Sequence, residues 1–190
     1  MKRKLVCFFL LSSFTVGLAA ASDVSLWGFN FYPYADRGSS CNVISSGTID
    51  ANGISNLAIE MRGSIGTKER YPYAGVVGEP VVRAGINRVK GAKGISFYVQ
   101  SLSDEERNYW FKLKFSTVSD DDHYGKQFRA FKQPSRVMIN FTDKEMNQGG
   151  WGKKVPFDMT KAIGDFIIQT VDDSAAYSYA IRIWGLELIE

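Results

Sequence analysis

Three segments decide the fold: Gly94-Ile95-Ser96-Phe97-Tyr98-Val99-Gln100, Tyr109-Trp110-Phe111-Lys112-Leu113-Lys114-Phe115 and Val137-Met138-Ile139-Asn140-Phe141. Each repeats with a period of two, the pattern of a half-buried antiparallel strand whose successive side chains point to opposite faces. In the second, Phe111, Leu113 and Phe115 share one face, while Trp110, Lys112 and Lys114 share the other. The first face belongs in a core; the second is wet yet carries a tryptophan. The three segments are expected together in one sheet, its apolar face inside a β-sandwich and its polar, partly aromatic face available for work.

Working outward, Leu26 to Phe31 reads as a first strand, closed by the turn formers Asp36-Arg37-Gly38-Ser39-Ser40. Asn56 to Gly63 alternates Leu57, Ile59 and Met61 with Ala58, Glu60 and Arg62, which makes one face wet. Tyr71 to Gly78 is a strand whose glycines admit a close neighbour. Ser103 to Asn108 reads as a solvated hairpin connection. Beyond it, His123 to Phe128 and Arg136 to Phe141 are strands, Lys144 to Gly150 is irregular, and Trp151-Gly152 is exposed. Asp158 to Ile163 holds a single helical turn. Asp165 to Val171 and Tyr177 to Leu188 close the chain, the last with its apolar parity shifted across Gly185, as a bulge requires. About nine short strands with hardly a helix predict an all-β fold, a two-sheet antiparallel sandwich of jelly-roll type.

The chain begins Met1-Lys2-Arg3-Lys4, runs apolar from Leu5 to about Ala20 and reaches Ala19-Ala20-Ala21 before Ser22. These are the three regions of a secretory signal peptide. The apolar run is shorter than the roughly 20 residues that span a bilayer, and Ser12, Ser13 and Thr15 interrupt it. The expected division is therefore 1–21 signal peptide and 22–190 one domain, secreted or periplasmic, with no membrane attachment after cleavage. Lys2, Arg3 and Lys4 account for the whole formal charge of +3, so residues 22–190 are balanced and lack the basic footprint of a nucleic-acid binder. Cys7 leaves with the signal. Cys41 is then alone, the domain has no internal disulfide, and a monomer held by its core is expected.

His123 is the sole histidine, so a centre built on several imidazoles is excluded, and no Gly-x-Ser-x-Gly elbow accompanies it. It reads as a strand-end residue making a structural or ligand hydrogen bond rather than as a catalytic base. Asp120-Asp121-Asp122 reads as a solvated loop, with calcium as the alternative that its oxygens would permit. No carboxylate pair stands out for glycoside hydrolysis, and the chain is read as not an enzyme, needing no cofactor. The aromatics are more informative. Tyr98 and Trp110 occupy the polar parity of strands that are apolar on the other face; rings so placed either lie under a loop as peripheral core or stack on sugars, with Lys, Arg, Gln and His donating to hydroxyls.

Tyr34-Ala35-Asp36-Arg37-Gly38-Ser39-Ser40, Pro72-Tyr73-Ala74-Gly75-Val76, Gly94-Ile95-Ser96-Phe97, Asp122-His123-Tyr124-Gly125-Lys126-Gln127-Phe128, Val137 to Phe141, Gln148-Gly149-Gly150-Trp151-Gly152 and Val155-Pro156-Phe157-Asp158 follow in an order that resembles galactose-binding-like jelly rolls. The resemblance is to carbohydrate-binding module family 11 and the complex I intermediate-associated protein 30 domain, over essentially all of residues 22–190. It implies a concave face that grips β-linked glucan or a related plant polysaccharide with aromatics, a histidine and charged side chains. By the same resemblance His123 is the groove histidine, and Trp110 and Lys112 lie on the strand lining the floor. Members of the family often end in an Ile-Asp-Asn/Asp-Ile strand, where this chain has Ile183-Trp184-Gly185-Leu186, so no carboxylate-dependent feature or metal is carried over there. The candidate ligand-binding residues are Tyr73, Tyr98, Trp110, Lys112, His123, Tyr124, Gln127 and Trp151. The expected function is non-catalytic polysaccharide binding, with a separate glycoside hydrolase as a partner. The alternative is a cell-envelope structural or assembly protein that uses the same face for a protein partner.

Overall fold

The computed structural model describes residues 24–49, 55–81, 88–171 and 175–190; the expected signal segment lies outside them. Their strands are β1 (Val24–Leu26), β2 (Phe29–Ala35), β3 (Ser40–Ile49), β4 (Ser55–Ile65), β5 (Ala74–Pro80), β6 (Gly94–Ser101), β7 (Arg107–Phe115), β8 (Tyr124–Ala130), β9 (Ser135–Asn140), β10 (Ala162–Thr170) and β11 (Tyr177–Ile189). One short helix, α1 (Arg88–Gly91), and a 3₁₀ turn over Met159–Lys161 complete them. All pairings between strands are antiparallel. The first sheet has six strands in the order β1-β2-β5-β10-β7-β8, and the second has five in the order β3-β4-β11-β6-β9. The fold is the predicted two-sheet sandwich of jelly-roll type. No helix among the described residues is long and apolar enough to cross a membrane.

The inward parities supply the core. Phe29 and Phe31 of β2, Phe97 of β6, Phe111 and Phe115 of β7, Phe128 of β8 and Phe166 of β10 are all buried. Phe97 reaches across the gap between the sheets, its ring 6.5 Å from Phe111 and 5.2 Å from Phe128, while within the six-stranded sheet Phe166 lies 5.4 Å from Phe111 and 5.0 Å from Phe29. The spacings and mostly tilted planes are those aromatic pairs prefer.

Those ring contacts correct the expectation that the three deciding segments share a sheet. β6 and β9 are paired in the five-stranded sheet, whereas β7 pairs β8 and β10 in the other. The segment after β6 is not a hairpin but an arch that carries the chain from one sheet to the other. It is held by Ser101 Oγ donating to Glu105 O at 3.0 Å and by Leu102 N donating to Ala180 O at 2.8 Å. Two alternating strands can satisfy their apolar faces side by side or face to face, and the period is the same in both cases. A connection of this length bridges either geometry.

Three further departures concern the first sixty residues. The first strand is a hairpin: Trp27 and Gly28 both have positive φ, 53° and 81°, the left-handed pair that a two-residue turn requires. β3 escaped notice because Ser40-Cys41-Asn42-Val43-Ile44-Ser45-Ser46-Gly47 has few apolar residues to alternate; it is an edge strand paired only with β4. The wet parity of β4 is also drier than expected. Ala58 and Glu60 are buried there, because β11 lays Trp184 opposite Ala58 and Arg182 opposite Glu60. Glu60 is bracketed by Arg182, at 2.6 Å, and by Arg62. The bulge near Gly185 is present as a register shift between Trp184 and Glu187, and the helical turn near Asp158 is the 3₁₀ turn, with Asp158 capping Thr160 N at 2.9 Å.

Candidate site on the outer face of the six-stranded sheet

The register of the six-stranded sheet aligns its outward side chains into two rows. The first runs Tyr34, Gly75, Gln169, Trp110, Gln127, and the second Tyr32, Val77, Ile167, Lys112, Gly125. Most of these residues are half-buried, and Ile167 is buried although it points away from the core. The side chains of this face therefore largely cover one another, with Gln127 exposed at its edge.

Glycines let the rings lie flat. A Cβ at Gly75 would collide with the carbonyl of Ile168 and come within 3.0 Å of the Tyr34 hydroxyl. The tyrosine can thus cross β5 and donate to Gln169 Oε1 at 2.9 Å. At the other end a Cβ on Gly125 would meet the Trp110 ring at 3.1 Å and the Lys112 stem at 2.8 Å. Tyr73, just before β5, sets its ring 5.9 Å from that of Tyr34 and is anchored by Asp36, whose Oδ2 accepts from Tyr73 N at 3.1 Å. Burial raises the Tyr34 phenol well above its usual range, so it stays a neutral donor.

Three basic groups adjoin the rings. Lys112 Nζ lies 5.9 Å from the Trp110 ring centre, and burial lowers its proton affinity against the pull of Asp122 and Asp121. Lys114 Nζ is 3.7 Å from Asp165. His123 is buried, and its Nδ1 accepts from Phe115 N at 3.4 Å. That bond leaves the proton of a neutral imidazole on Nε2, which faces Asp121 at 3.9 Å, too far for a hydrogen bond. Burial first, with Lys114 and Lys112 adding to it, depresses the His123 pKa, while Asp121 opposes the shift.

Asp120 and Asp122 close one side of the face by gripping a loop. The Asp122 carboxylate accepts from the backbone N–H of Gly149, Gly150 and Gly152 at 2.6, 2.9 and 3.0 Å, and Asp120 accepts from Lys153 N at 2.6 Å. Gln148 ties the loop again, donating to Asp122 O and accepting from Val155 N. Asn147 and Gly125 exchange two backbone hydrogen bonds of 2.9 Å, which fixes the loop against β8 and leaves Trp151 65% exposed beside the sheet. Asp120 and Asp122 are thus acceptors for a loop, not free oxygens, and no group of three potential metal ligands occurs among the described residues.

Of the eight residues singled out in the sequence, the structure brings Tyr73, Trp110, Lys112, His123, Gln127 and Trp151 to this face and its rim. It does not bring Tyr124, which is buried with Phe115 and Phe157 against its ring and donates to Val155 O at 2.6 Å. It also does not bring Tyr98. That residue is on the outer face of the other sheet, 40% exposed, stacked at 5.6 Å on Trp184 with Arg136 above it. Tyr32, Tyr34, Gln169 and Ile167 were missed. The signal for the tyrosines was present in Phe29-Asn30-Phe31-Tyr32-Pro33-Tyr34: ring without hydroxyl on one parity, ring with hydroxyl on the other.

No protein-family model matches the sequence, and no curated protein matches it. Solved structures do. A family 11 carbohydrate-binding module from Clostridium thermocellum in complex with a β-1,3-1,4-mixed-linked tetrasaccharide aligns with a TM-score of 0.55 over 87% of this chain and 90% of the module, at 15% identity. The family 11 module of the cellulosomal cellulase Lic26A-Cel5E of the same organism aligns with a TM-score of 0.54 over 90% and 96%, at 17% identity. An exo-β-agarase gives a TM-score of 0.51 at 8% identity, with 83% of this chain covering 24% of that enzyme. The chain resembles the family 11 modules and has their fold, a jelly-roll sandwich covering almost their whole length.

Proposed function

We propose that the chain is a secreted or periplasmic, non-catalytic polysaccharide-binding protein that holds a β-linked glucan or related plant polysaccharide in a groove on the outer face of the six-stranded sheet. The observation that carries this reading is the pair of cross-strand rows, which put Tyr34 and Trp110 on one face with Gln169, Gln127 and Lys112, and with Tyr73 and His123 beside them. Rings supply flat surfaces for the C–H faces of pyranoses, and the amide, ammonium and imidazole groups supply directional donors and acceptors for hydroxyls. A chain-like ligand suits a row that spans five strands better than a small molecule does. The fold of modules that include one solved with a mixed-linked tetrasaccharide is consistent with this assignment. A purely binding role is supported by the engagement of two of the nearby carboxylates, Asp165 facing Lys114 and Asp122 bound by the loop, while Asp121 stays exposed beside His123. A partner hydrolase on a separate chain would supply catalysis.

Affinity electrophoresis in soluble mixed-linked β-glucan, with a reducing-end assay on the same polymer, tests the proposal. Retardation without product is expected. Absence of retardation in every polysaccharide tried would favour the envelope-protein alternative, and accumulating product would make the chain an enzyme.

A further inference from the structure

The second row of the face has a feature that hydroxyl recognition does not require. Lys112 stands near its centre, half-buried between Ile167 and Gly125, with neither a hydrogen bond nor an ion pair among the described residues. Its neighbour Lys114 faces Asp165, so Lys112 is the ammonium of that strand left without a direct ion pair, with Asp122 and Asp121 acting on it only from beyond contact. Withdrawing an ammonium from water without a partner is unfavourable. Burial here already weakens the hold of Lys112 on its proton.

We infer that the groove takes a saccharide chain bearing an anionic substituent, a carboxylate or a sulfate, which pairs with Lys112 while the sugar ring stacks on Trp110. The inference rests on the saccharide-binding reading above and narrows its ligand class. Lys112 Nζ lies 5.9 Å from the centre of the Trp110 ring, within reach of a substituent on a pyranose stacked there. His123 adds a second donor, because Phe115 N occupies Nδ1 and leaves Nε2–H for a ligand. The carboxylates around the site are Asp122, bound by three backbone N–H groups, Asp120, bound by Lys153 N, Asp165, facing Lys114 with Glu79 also acting on it, and Asp121, exposed beside His123. Asp121 is the one positioned to oppose the ligand. With no excess of basic residues outside the first four positions, recognition depends on this local group and not on long-range steering.

Hydroxyethylcellulose, carboxymethylcellulose and cellulose sulfate share a β-1,4-glucan backbone and differ in charge, so calorimetric titration of the protein with the three isolates the anion. At low ionic strength at least one charged polymer should bind roughly tenfold tighter than the neutral one, as a charge-assisted contact implies, and the better of the two identifies the anion. Lys112→Gln should bring the charged-to-neutral ratio close to one, and Lys112→Arg, which keeps the charge should Gln disturb the fold, should preserve it. Asp121→Asn should raise the ratio. Lys132→Gln, an equal loss of charge on an exposed turn away from the face, should leave it unchanged. Equal affinity for all three polymers would overturn the inference and keep the saccharide reading. A ratio lowered as much by Lys132→Gln as by Lys112→Gln would overturn it as diffuse polyanion binding. Failure to bind any polymer would remove both readings.

Discussion

Trp110 and Tyr34 owe their positions to their neighbours' lack of side chains, and this makes their replacement informative. Trp110 rests against Gly125 and Tyr34 crosses Gly75, so neither ring fills the core between the sheets. Trp110→Ala should leave the thermal midpoint within a few degrees of the parent and lower polysaccharide affinity several-fold to tens-fold, since a stacked ring is worth about 1 kcal/mol or somewhat more. Tyr34→Phe removes the bond to Gln169 and should lower affinity by less. Phe111→Ala is the contrasting change: its ring meets Phe97, Phe141 and Phe166, and its loss should cost roughly 3 to 5 kcal/mol of stability, read as a large fall in the denaturant midpoint. The parity of β7 was legible in the sequence because phenylalanine and leucine alternate strictly with tryptophan and lysine. The location of Tyr98 was not, because a residue's parity says which side of its own sheet it faces and nothing about which sheet that is.

Among the elements, the loop carrying Trp151 is the one most dependent on a single side chain. Asp122 is buried and accepts three backbone N–H bonds from the loop. Removing a charged acceptor costs about 1.5 to 3 kcal/mol per bond where the donors stay dry, and less where water replaces it. Asp122→Ala should therefore destabilise the domain by about 2 kcal/mol. It should also increase acrylamide quenching of tryptophan emission relative to the parent, an increase that Trp151→Phe abolishes; unchanged quenching would show that the loop holds itself. Three adjacent aspartates read in sequence as a solvated or cation-binding loop because the donors to Asp122, the glycine N–H groups, are some 27 to 30 residues away. The arch between β6 and β7 was illegible for a related reason. Its partners, Ala180 O and the strand order itself, come from the far end of the chain.

For the molecule as a whole, acid should destabilise in two windows. His123 has a folded pKa below its ordinary value near 6.5 because it is buried, so the unfolded chain takes up a proton that the folded one resists, and stability falls as pH drops through about 6.5. Glu145 is held at about 2 chiefly by its bond to Lys126 and then by Asn140. Its contribution is present above its usual 4.5 and is lost as pH falls toward 2. Thermal midpoints measured from pH 7.5 to 3 should thus decline in two steps, with His123→Gln flattening the upper and Glu145→Gln the lower. A profile unaltered by either variant contradicts this assignment. Burial also raises the Cys41 thiol, which keeps it protonated and slow to oxidise. The midpoint should be the same with and without reductant, whereas a fall on reduction would reveal a disulfide between chains. The sandwich was legible from the spacing of its strands, yet eleven strands rather than about nine form it among the described residues, since a serine-rich edge strand leaves little periodicity to read.

The central claim is that one outer face, that of the six-stranded sheet, holds the polysaccharide. Its most direct test is titration of ¹⁵N-labelled protein with an oligosaccharide of mixed-linked β-glucan, followed by amide and indole resonances. The predicted result is a set of concerted shifts in Tyr34, Gly75, Gln169, Trp110 and Gln127, with the Trp110 indole N–H among them and Trp184 silent. Shifts confined to Tyr98, Arg136 and Trp184 would place the site on the opposite face and contradict the account.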